Sequence, residues 1–478
     1  MTIHSDWGRL LHSECPEAFL NQIPTDVDFG VGVIDGHLQL MCLHSGLGTW
    51  ERFLQFLFVN PIKKLFDAGC PVVVLCFDSY DSVPVYKTMT QQKRISSSAA
   101  HKIPPVDEKE EGLPPGIPQD AMAYMMIRSF KLKVIDMVCA CLPDLIMPLI
   151  NKNPGQRFIL DYKRVVEYDH GVPVVVEDMA PTGESDIKFA RYVDRFGNAL
   201  VHAIDGDYMA IALLYYAMRG LRHKIFIFRQ LAQLAPTAAD RKQLDAAEQA
   251  KKKRKITSST TETTHPNGTT TAAAVATKKK KTPKCWVDMQ LIFISIANSV
   301  RQARIPELRG GANNDDIIHD EKKAVHAAVV LMLCAGTDFS RPFPQIGPKR
   351  IWEALPFIVE NLLLAAPVSG PINYTLFING VVGPLYSSIF GRHVKGKNTA
   401  TFNTVMAHLR HSSLSATTTG RLPSEAQVQT TLKNINWVVH HYWTVINGSI
   451  KAPLDGSNGF VTDGGGKVGY ADVAVNSS

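Results

Sequence analysis

The chain has 478 residues, 45% of them hydrophobic and 20% charged, with a formal net charge of +7. That length supports one large or two medium domains around a proper core. No apolar run reaches the roughly 18 residues needed to cross a bilayer, so no membrane partner is expected and an ordinary globular protein is. The positive charge is local: ten of the 51 Lys and Arg but one of the 44 acids fall between Lys251 and Lys284. Basicity of the whole chain is therefore weak evidence for a nucleic-acid partner.

In chain order, Met1 to Glu14 carries scattered charges and no apolar segment, so it does not read as a secretory signal. The eight cysteines are dispersed without a C-x-x-C pair, which favours buried thiols in a reducing compartment over a zinc ribbon. Five short runs rich in Val and Ile predict buried strands: Phe29 to Ile34, Pro71 to Phe77, Gly171 to Val176, Ala199 to Ile204 and Lys224 to Phe228. Their lack of polar alternation predicts an α/β fold with a mostly parallel twisted sheet covered on both faces. His101 to Gln119 reads as a loop. Residues 234–284 form a low-complexity insertion with basic clusters at Lys251–Lys255 and Lys278–Lys281, a nuclear localisation signal or a phosphate-binding tether. Helices are expected over Lys323 to Leu333 and Lys349 to Leu364, and a flexible tail over Gly456 to Ser478. The domain reading is 1–233, the insertion 234–284, a continuation 285–366, and a C-terminal region 367–478 of unassigned role.

Three strand candidates end in an aspartate: Asp35, Asp78 and Asp205. Parallel sheets bind ligands beyond the carboxyl ends of their strands, so these side chains should converge. Asp207 lies two residues past Asp205, Glu184 and Asp186 sit at a predicted helix start, and Asp338 follows a predicted helix that stops at Gly336. Any one of them alone is an ordinary turn or capping residue. Seven together would repel and destabilise the fold unless cations neutralise them. Oxygen ligands of this kind suit Mg²⁺, with Mn²⁺ as a substitute. Two such ions stabilise the attacking and leaving oxygens of phosphodiester cleavage.

The ordered set resembles that of the structure-specific 5′-nuclease superfamily: flap endonucleases, xeroderma group G nucleases and 5′–3′ exoribonucleases. Ile34-Asp35-Gly36, Cys76-Phe77-Asp78, Glu184-Ser-Asp186, Asp205-Gly-Asp207 and Gly336-Thr-Asp338-Phe339 carry the likeness, with Glu184 preceding Asp205 by 21 residues. The resemblance implies a PIN-like nuclease domain with a helix–two-turn–helix element, acting on DNA with a 5′ flap or junction in replication, repair or recombination. It further implies one metal on Asp35, Asp78, Glu184 and Asp186, and a second on Asp205, Asp207 and Asp338.

Lys87 and Arg94 lie seven residues apart, on one face of a helix. The resemblance implies that they reach the scissile phosphate, with Lys93 and Lys188 as further nucleic-acid contacts. Gln345-Ile-Gly347-Pro-Lys349-Arg350 resembles the hairpin that binds duplex phosphate through K⁺. The chain departs from the flap-endonuclease pattern in its Met1-Thr-Ile-His start, in Met41 where an aromatic is usual, and in lacking a sliding-clamp box. An exoribonuclease-like enzyme acting on RNA, and an inactive nucleic-acid-binding scaffold, are the competing readings. Nuclear location rests on the basic run alone.

Overall fold

The computed structural model describes residues 6–78, 112–169, 172–176, 184–203, 205–230, 284–303, 314–336, 343–344, 346–368, 370–389, 401–411, 422–446, 460–462 and 468–470. Residues 1–229 and 286–478 form one compact unit. Of a second unit, residues 230–285, only Gln230, Lys284 and Cys285 are described.

The main unit is an α/β structure built on a mixed nine-stranded sheet. Its strands are β1 (Phe19–Leu20), β2 (Val31–Asp35), β3 (Val72–Cys76), β4 (Arg157–Asp161), β5 (Val165–Asp169), β6 (Val172–Val175), β7 (Ala199–His202), β8 (Ile225–Gln230) and β9 (Lys284–Asp288). The spatial order is β1-β9-β8-β7-β2-β3-β4-β5-β6. Strands β8, β7, β2, β3 and β4 run parallel, and antiparallel pairs close both ends. All five expected strands form, although Ile204 and Gly171 lie outside the described residues.

β2 and β3 read Val-Gly-Val-Ile-Asp and Val-Val-Val-Leu-Cys and are buried throughout. Successive residues point to opposite faces. Ile34, Val73, Leu75, Phe158, Leu160 and Leu200 join one apolar cluster with α3 (Asn60–Asp67) and α4 (Arg128–Ile150), counting α1 as Asp6–Glu14 and α2 as Gly36–Leu40. The other face is covered by α5 (Ser185–Phe196). Behind α5 lies α6 (Asp207–Arg219), whose Tyr208 to Ala217 are all buried. A helix apolar all round needs such a jacket. α7 (Met289–Ala303), α8 (Asn314–Leu333) and α10 (Glu425–Ile446) supply it, while α9 (Pro348–Ala365) packs on α1, α7 and α8.

One expectation is corrected. The run at Val172–Val175 pairs antiparallel with β5 at the sheet's edge, with Val174 and Val175 exposed. Pro173 has no N–H for a central ladder, which fits an edge. Within the tail read as flexible, β10 (Phe460–Thr462) and β11 (Val468–Tyr470) form an antiparallel pair. Among the described residues no helix is long and apolar enough to cross a membrane.

Candidate functional site

β2 sits between β3 and β7, so the chain leaves it toward one side of the sheet and later returns on the other. At such a switch point the helices and loops diverge, and a crevice opens beyond the carboxyl ends of the strands. Asp35 is the last residue of β2, Asp78 follows β3 by two residues, and Asp205 follows β7 by three. The strand register aligns Asp35 with Cys76 and Cys76 with Asp161, so these three form a row across β2, β3 and β4 on the α5 face.

Asp35 Oδ1 accepts hydrogen bonds from the His37 N–H at 2.9 Å, the Leu38 N–H at 3.3 Å and the Ser185 hydroxyl at 3.3 Å. The first two make it the N-cap of α2, so the structural role of a strand-ending aspartate is real at this position. Gly36 is needed beside it: a Cβ there would lie 2.4 Å from the Phe77 ring and 2.8 Å from the Cys76 carbonyl oxygen. Burial pushes the Asp35 carboxyl up to about 7, and the charges of Asp78 and Asp205 add to the shift. Asp205 is raised by burial too; Glu184 adds to that, while the Asp207 N–H at 3.1 Å and the Arg229 charge oppose it.

α5 brings the second group. Glu184 occupies its N-cap position, but its side chain makes no capping bond, so capping does not account for this acid. Glu184, Asp186 and Asp207 are all buried. The Ser185 N–H donates to Asp78 Oδ1 at 3.0 Å, and His37 Nδ1 stands 3.6 Å from the same oxygen. Burial drives the Tyr208 hydroxyl well above its ordinary value, and the nearby charges of Asp35 and Asp186 push the same way. Asp35 thus lies in the field of Asp78 and Asp205, Asp205 in that of Glu184, and Asp35 and Asp186 both act on Tyr208. Even so, among the described residues no three His, Cys, Asp or Glu side chains stand close enough to enclose a metal ion.

Asp338, Lys87, Lys93, Arg94 and Gln345 lie outside the described residues. Gly347 is the N-cap residue of α9, with an extended backbone and Pro348 at the first helical position. Lys349 and Arg350 follow on the exposed side, Lys349 lying 3.7 Å from Glu353.

The expectation that Lys188 faces nucleic acid is corrected. Its side chain is 1% exposed and its ammonium donates to Asp161 Oδ1 at 2.6 Å and to the Phe77 carbonyl at 2.8 Å. An α5 position three residues after Ser185 points inward with it. Asp161 was missed although Phe158-Ile-Leu160-Asp161 repeats the pattern of an apolar run ending in Asp; its run was too short to stand out. Tyr192 completes the group, its hydroxyl donating to Asp161 Oδ2 at 2.8 Å.

Fold and site together define an α/β protein with buried acids beyond the carboxyl ends of the central strands of its sheet. No protein-family model matches the chain, and no curated protein matches it in sequence.

Proposed function

We propose that the chain is a Mg²⁺-dependent 5′ nuclease on a PIN-like domain, cutting phosphodiester bonds of DNA at flaps or junctions. The observation that carries this reading is the convergence of Asp35, Asp78 and Asp205 from three neighbouring parallel strands onto one edge, where Glu184 and Asp186 join them at the start of α5.

The donor set suits hard divalent cations, being all carboxylate oxygen. Burying carboxylates is costly without cations, and the raised carboxyls of Asp35 and Asp205 reflect burial first and the neighbouring acids second. On this reading Asp35, Asp78, Glu184 and Asp186 would draw in around one ion, and Asp205, Asp207 and Asp338 around the other, since no three of the described acids stand close enough to enclose an ion as they are. Bound there, the ions supply an activated water and charge stabilisation for the departing oxygen. The protein's own part is to fix the acids: Ser185 ties Asp35 to Asp78, and the Asp207 N–H orients Asp205. Lys87 and Arg94 would neutralise the scissile phosphate. The α9 start, with Lys349 and Arg350, would grip duplex phosphate, with K⁺ at that turn.

The test is cleavage of end-labelled 5′-flap DNA and single-stranded 5′-phosphorylated RNA, with and without Mg²⁺. Flap DNA should be cut faster, and Asp205→Asn should lower the rate by on the order of a hundredfold or more while leaving binding intact. Faster cleavage of RNA would move the assignment to the exoribonuclease branch. Cleavage by Asp205→Asn at the wild-type rate would remove the metal assignment, and binding without any cleavage would leave a scaffold.

A further inference from the structure

One face of α5 makes five polar contacts with the strand ends. Ser185 opens the helix and reaches Asp35 and Asp78. Lys188, three residues on, donates to the main-chain carbonyl of Phe77, the residue immediately before Asp78, and to Asp161. Tyr192, a further turn along, donates to the second oxygen of Asp161. Asp161 in turn belongs to the end of β4, and its own carbonyl accepts the Phe77 N–H at 2.8 Å. The Phe77 peptide groups are therefore held on both sides, from β4 and from α5. The Asp78 N–H also lies 3.4 Å from His37 Nδ1.

We infer that Lys188, with Asp161 and Tyr192, is a positioning group that fixes Asp78 from behind and so sets how tightly the acidic edge holds a divalent cation. This rests on the functional reading above. Stability alone does not explain the pair. Burying an ammonium and a carboxylate carries a desolvation penalty, and an apolar pair of similar volume is often as stable or more so. What an apolar pair cannot do is donate to the Phe77 carbonyl. Partners one step behind a metal ligand typically change metal affinity by roughly 10–100-fold when removed.

The experiment uses the full chain without nucleic acid and follows Mn²⁺ binding by the electron paramagnetic resonance signal of the free ion, with thermal unfolding recorded in parallel. The double variant Lys188→Met/Asp161→Leu should unfold near the wild-type temperature yet bind Mn²⁺ roughly tenfold more weakly. Lys188→Gln/Asp161→Asn, which keeps a donor for the carbonyl, should recover most of that loss. If the apolar pair folds and binds Mn²⁺ as tightly as wild type, the group is structural only and the inference falls. Should the apolar pair not fold, Tyr192→Phe decides: it removes one hydrogen bond from Asp161 at constant shape, a few-fold weaker binding supports the inference, and unchanged binding overturns it. A wild-type chain that binds no Mn²⁺ instead overturns the functional reading itself, and this inference with it.

Discussion

Asp35 caps α2 and also lies in the field of Asp78 and Asp205, and the two roles respond differently to pH. Its folded carboxyl titrates at about 7 against an ordinary 3.8, with burial the larger cause and the neighbouring carboxylates the smaller. Between those values the native state holds a proton that the unfolded chain has released. Stability of the cation-free protein should therefore be highest near pH 4 and fall as the pH rises toward 7. The loss is on the order of a few kcal/mol, and Asp205, shifted in the same direction, adds to it. Urea unfolding across this window measures the slope, and Asp35→Asn should flatten it. A stability that climbs between pH 4 and 7 would contradict the burial of Asp35 as an unneutralised acid.

Strands surrounded on both faces were the most legible part of the sequence, because an unbroken Val/Ile run has few other uses. β2, β3, β7 and β8 fall in this class. β4 and β5 did not stand out: they form a hairpin around Tyr162–Arg164, and their apolar runs are short and broken by charge. Of the acidic edge, the strand-ending aspartates could be found from position alone. Ser185, Lys188 and Tyr192 could not, since which side of α5 faces inward depends on how the helix is rotated against the sheet. The edge and centre of the sheet also differ in tolerance. Val174 is 55% exposed on β6, so Val174→Lys should change stability by no more than about 0.5 kcal/mol. Val74 is fully buried in β3, and Val74→Lys would place an unpaired charge there, costing more than about 4 kcal/mol. Equal effects of the two changes in denaturant unfolding would mean that the sheet order is wrong.

The C-terminal region carries no motif, yet α10 packs on α5 and α6, the helices whose first turns hold Glu184, Asp186 and Asp207. Its Val428, Leu432, Ile435 and Val438 are buried. Each such side chain contributes about 1.5–3 kcal/mol when fully covered. A chain ending at residue 421 should therefore lose most of its solubility or unfold at a markedly lower temperature. A truncated chain with the full-length unfolding temperature would show that α10 is dispensable.

The sheet's far end has a consequence for biosynthesis. Among the described residues β1 pairs only with β9, Leu20 standing opposite Trp286, and β9 is also the neighbour of β8. On the ribosome, at ~5–20 residues per second, the earliest strand must wait on the order of tens of seconds for its mate to emerge. Until then β8 presents an open ladder to whatever else is nascent or nearby. Completion of this end of the sheet thus depends on a single late strand, and the yield of folded protein is expected to fall where chaperones do not shield that ladder in the interval.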